Sequence, residues 1–164
     1  MKTRMRFNMY LPMAAMILTA ALAVSSEAQK QVPFKGVMQA QDHDDSFTDT
    51  TVVVTTTGTG EATHLGQFSF TLQNTVDFVA GTSTGFAHFI AANGDTFDAT
   101  VLGFGGPTAD PDVISITETY TITGGTGRFA GAEGTFTMQR SANVVTFFTS
   151  GSFDGTITSP GAAH

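Results

Sequence analysis

The sequence predicts an all-β domain of eight antiparallel strands, preceded by a signal peptide. Apolar and polar residues alternate with a period of two along most of the chain after residue 31, which is typical of strands with one buried face. Glycine and proline turn signals interrupt the alternation, and no segment of helical length has apolar residues spaced three and four apart. Eight successive antiparallel strands indicate either a closed barrel or a two-sheet sandwich.

Residues 1–28 have the layout of a secretory signal peptide. Three basic residues lie within the first six positions, and an apolar run over 11–24 follows. This run is shorter than the ~20 residues that a membrane-spanning helix needs. Ser26 and Ala28 are the small residues expected before a cleavage site, and Ala23 marks an alternative site. We therefore expect an exported protein, periplasmic or extracellular, whose domain occupies residues 29–164 without a membrane span.

Eight segments after the signal peptide combine period-two alternation with β-branched or aromatic residues. The predicted strands are 32–41, 50–57, 63–74, 83–91, 95–104, 113–123, 132–140 and 143–158. Asn93-Gly94 supplies the two positive-φ positions of a tight hairpin turn between the fourth and fifth strands. Two prolines mark 105–112 as a loop, and we expect the long last strand to kink or break at Gly151.

The composition excludes several classes of function. The chain has 164 residues, a formal charge of -7 and no cysteine, and only 13% of its residues are charged. Without cysteine there is no disulfide framework and no thiolate metal site. Nucleic-acid binding is disfavoured because phosphate contacts need clustered Lys and Arg, and this acidic chain has no basic run. We expect no cofactor and no bound metal.

The alternation places four ionisable side chains on strand faces that are otherwise apolar. His64 shares a face with Phe68, Phe70 and Leu72; His88 with Phe86 and Ile90; Glu118 with Ile114, Ile116, Tyr120 and Ile122; and Arg140 with Phe136 and Met138. The opposite faces are mostly Ser and Thr, and we expect them to face solvent. A β-bulge, for which Gly66 is the obvious place, would reverse the faces beyond it.

The most distinctive motif runs from Glu118 to Gly134, where five glycines surround a single aromatic residue, Phe129. This motif resembles the strand–turn–strand signature that plant allene oxide cyclases and dirigent proteins share. Two further segments, 60–66 and 89–95, resemble exported bacterial members of the same barrel group. The resemblance covers most of residues 32–158 and implies an eight-stranded barrel of the allene oxide cyclase type, which favours a barrel over a sandwich.

The resemblance also bears on activity. The plant cyclases carry a glutamate on their first strand, deep in an apolar cavity. The predicted first strand of this chain, 32–41, contains no carboxylate, so the sequence disfavours cyclase activity and leaves enzymatic function open. The glycine cluster does not indicate phosphate binding, because a strand and not a helix is predicted to follow it.

Glu118, Tyr120 and Arg140 are the first candidates for a ligand-binding site. We expect Glu118 to face the barrel interior near Arg140, where the two can pair with each other and orient a polar group of a ligand. The alternatives are a purely structural ion pair and two residues at the barrel rim in contact with water.

His64 and His88 are further candidates, as an acid–base pair or as metal ligands. Each is alone in its strand and no third ligand is evident, so packed, hydrogen-bonded histidines are the alternative. The acidic segment 41–49 lacks the spacing of an EF-hand, and we expect a solvated loop there.

Three functions are compatible with these features. The first is an exported barrel that binds a small apolar ligand or a protein partner, and the second is an isomerase or cyclase-like enzyme acting in the barrel cavity. The third is a structural surface protein that forms homo-oligomers. A cavity lined by apolar side chains and one charged group would favour the first two, whereas a barrel filled by side chains would favour the third.

Overall fold

The structure is a computed structural model that describes residues 30–158 and 160–161, so the predicted signal peptide lies outside the described residues. The elements in chain order are β1 (Gln31–Phe47), β2 (Thr51–Ala62), β3 (Gly66–Asp77), β4 (Thr82–Ala91), β5 (Thr96–Pro107), β6 (Val113–Gly125), a 3-10 helix (Gly127–Phe129), β7 (Gly134–Asn143) and β8 (Phe148–Thr158). Each strand pairs antiparallel with the next, and β8 pairs with β1. The prediction of an eight-stranded antiparallel barrel is therefore confirmed.

No helix in the described part of the chain has the length and apolar character needed to cross a membrane. The barrel has two distinct ends. We call one of them the aromatic end, because buried aromatic rings fill the barrel there; it carries the connections β2–β3, β4–β5 and β6–β7. We call the other the open end; it carries the connections β1–β2, β3–β4, β5–β6 and β7–β8.

The first strand is longer than predicted. β1 continues through the acidic segment to Phe47, so the prediction of a solvated loop over 41–49 is wrong for most of that segment. β1 stays paired with β2 along this segment, and its side chains continue to alternate between the interior and solvent. Asp42 faces inward, where Thr56 Oγ1 donates a hydrogen bond to it, whereas His43 is exposed to solvent.

The turn before β8 also differs from the prediction. Gly151 lies inside β8, paired with Arg140 on one side and Met38 on the other, so the predicted break at this glycine is wrong. The chain turns instead over 144–147. Asn143 Oδ1 accepts backbone N–H groups at 2.8 and 3.0 Å there, which stabilises the turn and ends β7.

Aromatic side chains fill the barrel at its aromatic end. The buried rings are Phe34, Phe68, Phe70, Phe89, Phe97, Phe129, Phe136 and Phe153. Phe89 stacks on Phe97 with ring centroids 4.6 Å apart, and Tyr120 stacks on Phe136 at the same separation. These stacked contacts, together with edge-to-face contacts such as that of Phe34 with Phe136, bury large apolar areas and form the main core of the domain.

The glycine-rich connection between β6 and β7 closes the aromatic end. Gly127, with a φ of 55°, begins the 3-10 helix, which inserts Phe129 as a buried plug. A Cβ on Gly127 would collide with the carboxylate of Asp95, which accepts hydrogen bonds from Asn93 Nδ2 at 2.7 Å and from the backbone N–H of Arg128 at 3.2 Å. These bonds, the one from Asn93 above all, lower the pKa of Asp95. The glycines thus provide backbone geometry.

The predicted face of β4 is wrong. Phe86, His88 and Ile90 lie on the outer wall of the barrel, and the inward residues are Ala87, Phe89 and Ala91. Both faces of this strand carry an aromatic residue, so the alternation alone does not identify the buried one. The ring cluster decides it, because Phe89 completes the packing while Phe86 is 49% exposed.

Candidate functional site

A belt of polar side chains crosses the middle of the barrel, between the aromatic cluster and the open end. Its members come from six strands and are Asp42, Thr56, Asn74, Glu118, Arg140 and Thr149. The other two strands carry glycines at this level. A Cβ on Gly85 would collide with Asn74 Oδ1, and one on Gly103 would lie 2.9 Å from Glu118 Cγ. These two glycines therefore make room for the polar belt.

Glu118 and Arg140 form a bidentate ion pair at the centre of the polar belt. Arg140 Nε donates to Glu118 Oε2 and Arg140 Nη2 donates to Glu118 Oε1, each at 3.1 Å. Glu118 is 0% exposed and Arg140 is 7% exposed. In the β6–β7 ladder Glu118 pairs with Met138 and Arg140 with Ile116, so the two charged side chains meet diagonally. Bidentate geometry of this kind offsets much of the cost of burying both charges.

The neighbours of this ion pair complete its hydrogen bonding. Asn74 Nδ2 donates to Glu118 Oε1 at 3.0 Å. Arg140 Nη1 donates to Asp42 Oδ2 at 3.3 Å and to Thr149 Oγ1 at 3.1 Å. Burial by itself would lower the pKa of Arg140, but the charge and hydrogen bonds of Glu118, and then the charge of Asp42, raise that pKa above its ordinary value. Arg140 is therefore a permanent cation.

Tyr120 is fully buried next to the polar belt, and its hydroxyl donates to Glu118 Oε2 at 3.0 Å. Burial, reinforced by the negative charge of Glu118, raises the pKa of Tyr120 well above the ordinary value of 10.0. A group whose pKa is higher in the folded chain than in the unfolded chain stabilises the fold fully at pH values below its pKa in the unfolded chain. That stabilisation is lost as the pH rises towards its pKa in the folded chain.

We expect the free energy of unfolding to decline by about 1.4 kcal/mol per pH unit above pH ~10, because the unfolded chain releases the Tyr120 proton and the folded chain retains it. Tyr120→Phe should abolish the contribution of Tyr120 to this slope. The variant should also be less stable than the wild type at every pH, because it lacks the hydrogen bond to Glu118. Urea unfolding of both proteins between pH ~9 and pH ~11 measures the two slopes. Parallel slopes would contradict a buried, un-ionised Tyr120.

On the other side of the polar belt the barrel is open. A cavity of about 520 Å³ extends from the belt to the open end. Its walls are mainly apolar and include Val52, Val54, Val76, Phe78, Phe104, Ile114, Ile116, Ala142, Val144 and Phe147. Asp42, Asn74, Glu118 and Arg140 line its floor. An apolar cavity with a few convergent polar groups is the usual form of a small-molecule site.

Another depression, of about 730 Å³, lies on the outer wall around Gly60. It is more open to solvent than the cavity, and Glu61 is the only charged residue among those that line it. Among the described residues no group of three or more His, Asp or Glu side chains could hold a metal ion. The barrel cavity is therefore the better candidate for a functional site.

The structure brings three of the five predicted site residues together. Tyr120 and Arg140 both donate hydrogen bonds to Glu118, and the predicted inward position of all three side chains is confirmed. The contact between Glu118 and Arg140 agrees with the predicted pairing. A role of these residues in ligand binding stays a prediction.

The two histidines lie apart from this site. His64 is exposed in the turn between β2 and β3, where it has a φ of 66°; its predicted inward position is wrong because β3 begins only at Gly66. His88 is on the outer wall, with its Nδ1 2.6 Å from Asp98 Oδ1. Neither histidine lines the cavity, and they do not form an acid–base pair with each other.

Asp42 and Asn74 are site residues that the sequence analysis misses. The predicted first strand ended one residue before Asp42, so the conclusion that this strand carries no carboxylate is wrong. Asp42 shares parity with the buried Met38, and Asn74 shares parity with the buried Leu72. Both are polar residues near the end of an alternating strand, at positions where the alternation predicts an inward side chain. That pattern could have identified Asp42 and Asn74 as site residues.

Comparison of the chain with known proteins yields no matching family model, no matching curated protein and no matching solved structure. A barrel fold by itself does not specify a function, so the function is inferred from the geometry and chemistry of the cavity.

Proposed function

We propose that this chain is an exported barrel protein that binds a small, largely apolar molecule in the open half of the barrel. The cavity of about 520 Å³ carries the proposal, because its walls are apolar and its floor holds the ion pair of Glu118 and Arg140. Eight-stranded barrels can be filled entirely by side chains, but here the aromatic rings fill only one half. The polar floor would orient a polar group of the bound molecule.

Gly105 and Leu102, both on β5, provide a pair of positions for testing the cavity. Gly105 lies on the inward parity, and the nearest atoms to a Cβ added there are Ser115 O and Ile116 Cγ1, at 3.5 and 3.6 Å. Gly105 does not have a positive φ. Leu102 lies on the outward parity, is 65% exposed and is not among the residues that line the cavity. Phenylalanine at 105 would therefore enter the cavity, and phenylalanine at 102 would lie on the outer wall.

We expect the protein to bind N-phenyl-naphthylamine, a neutral apolar dye whose fluorescence rises in apolar surroundings. Gly105→Phe should weaken dye binding by about tenfold or more, because the new ring fills the cavity, and Leu102→Phe should bind like the wild type. Fluorescence titration measures the affinities, and thermal unfolding verifies that both variants are folded. Equal dye binding by the two variants, or no binding by the wild type, would contradict the proposal.

An isomerase that acts in the same cavity is the second candidate, and the position of Asp42 favours it. Asp42 places a carboxylate of the first strand at the cavity floor, with its Oδ2 3.3 Å from Arg140 Nη1. The two candidates differ in their effect on a molecule that co-purifies with the protein. A binding protein returns that molecule unchanged after renewed incubation, whereas an isomerase yields a species of equal mass and different chromatographic retention, which mass spectrometry after separation detects.

We further propose that the barrel is of the allene oxide cyclase type and that a signal peptide exports it to the periplasm or the extracellular space. The glycine motif that supports this type forms the turn between β6 and β7. β1 begins at Gln31, so cleavage after Ala28 would leave all eight strands intact. N-terminal sequencing of the natively produced protein should therefore start at Gln29, and an intact Met1 would contradict cleavage.

A further inference from the structure

The charged groups that line the cavity do not balance each other. The ionisable ones among the described residues are Asp42, Asp44, Glu118 and Arg140. Glu118 and Arg140 neutralise each other as a bidentate pair. Asp42 and Asp44 then leave an excess of negative charge on the side of the cavity that β1 forms. A bound molecule with a positive charge would complement this excess.

The strand register places Asp42 and Asp44 on the inward face of β1, two residues apart. Asp44 pairs with Val54 of β2, and all three residues line the cavity. A cationic group that lies over Val54 could therefore approach the carboxylate of Asp44.

A ligand with a carboxylate group would find no corresponding partner here. Arg140 is the only cation among the described residues that line the cavity. Its Nε, Nη1 and Nη2 atoms already donate to Glu118, Asp42 and Thr149. An anionic group would also be repelled by Asp42 and Asp44, so the cavity discriminates against fatty acids.

We propose that the molecule bound in the cavity is an amphiphilic primary amine. Its ammonium group lies beside Asp44, and its hydrocarbon body lies along the apolar walls. A primary ammonium has three N–H donors for carboxylate oxygens, and hydrogen bonds to charged groups are stronger than neutral ones. This inference rests on the proposed function, because it requires the cavity to be the binding site.

Three compounds with the same hydrocarbon chain test the inference: dodecylamine, dodecanol and dodecanoate. Each is used below its micellar concentration to displace N-phenyl-naphthylamine from the protein at neutral pH, in low and in high salt. We expect dodecylamine to bind about tenfold more tightly than dodecanol, the gain of one charge-assisted hydrogen bond, and dodecanoate to bind most weakly. The advantage of the amine should shrink in high salt, because salt screens the charges.

Two adjacent aspartates on β1 supply a matched pair of variants. Asp44 lines the cavity, whereas Asp45 faces outward and accepts a hydrogen bond from Thr55 Oγ1 at 2.6 Å. Asp44→Asn should weaken dodecylamine binding about fivefold and leave dodecanol binding unchanged. Asp45→Asn should leave the affinity for both compounds unchanged.

The outcomes separate the inference from the proposed function. Equal affinity for the amine and the alcohol, or tighter binding of dodecanoate, would overturn the amine inference, while dye binding that Gly105→Phe blocks would still support a cavity site. Dye binding that Gly105→Phe does not affect would contradict the proposed function itself. If Asp45→Asn weakens amine binding as much as Asp44→Asn does, the charge of the whole surface explains the preference, and the inferred ammonium position is wrong.

Discussion

Replacing Arg140 with alanine is expected to lower the free energy of unfolding by about 3–5 kcal/mol, because the change leaves the buried carboxylate of Glu118 without its cation. Glu118→Ala should have an effect of similar size, since Arg140 would then lose its bidentate partner and keep Asp42, at 3.3 Å, as its counter-charge. Urea unfolding at neutral pH measures both changes.

An ion pair on the outer wall provides the control for this prediction. Lys35 Nζ lies 2.6 Å from Asp154 Oδ2, but the two side chains are 61% and 68% exposed. Lys35→Ala should change stability by no more than about 1 kcal/mol, because water and salt screen exposed pairs. Similar losses for Lys35→Ala and Arg140→Ala would contradict the distinction between a buried and an exposed pair.

A double variant distinguishes stability from function at the same position. Glu118→Leu combined with Arg140→Met replaces the buried pair by apolar side chains, and such replacements are often neutral or stabilising. We expect this variant to recover only part of the stability that either alanine variant loses, because Asp42 loses its contact with Arg140 and Asn74 loses its contact with Glu118. If it stays folded and loses dye or amine binding, the ion pair serves the ligand.

Phe89→Ala is expected to destabilise the protein by about 3–5 kcal/mol, because it removes a ring from the centre of the aromatic cluster. Phe89 is fully buried, and its ring stacks on those of Phe97 and Phe70 with centroids 4.6 and 5.5 Å away. The rigid neighbouring rings and strands would leave a cavity in place of the missing side chain. Urea unfolding at neutral pH measures the loss.

Phe86 on the same strand is the matched control, since it is the same residue type on the opposite face. It is 49% exposed on the outer wall, so Phe86→Ala should change stability by less than about 1 kcal/mol. A larger loss for Phe86→Ala than for Phe89→Ala would mean that the faces of β4 are reversed.

The central ion pair could be predicted because it depends on local information. Glu118 and Arg140 each continue an apolar parity within a single strand, and the glycine-rich connection makes those strands antiparallel neighbours. Alternation with period two follows from the geometry of the strand itself. The face of β4 could not be predicted in the same way, because Phe86 and Phe89 offer an aromatic residue to each side.

The remaining site residues depend on contacts between distant parts of the chain. Asp42 reaches Arg140 across 98 positions, and Asn74 reaches Glu118 across 44. An acidic segment such as 41–49 has the composition of a solvated loop when it is considered alone. A buried carboxylate needs hydrogen-bond donors and a counter-charge. The inward position of Asp42 is favourable because Thr56 and Arg140, from other strands, supply them inside the barrel.

Sequence patterns were sufficient to predict the all-β class, the number and order of the strands, and the inward direction of Glu118, Tyr120 and Arg140. These features follow from residue-by-residue alternation and from turn residues, which act over short distances along the chain. Alternation could not distinguish a closed barrel from a sandwich, whereas the structure shows that β8 pairs with β1 and that the aromatic rings fill one half of the barrel. The closure of the barrel and the volume of its cavity depend on how side chains from all eight strands pack together in the interior. A pattern within one strand does not contain this information.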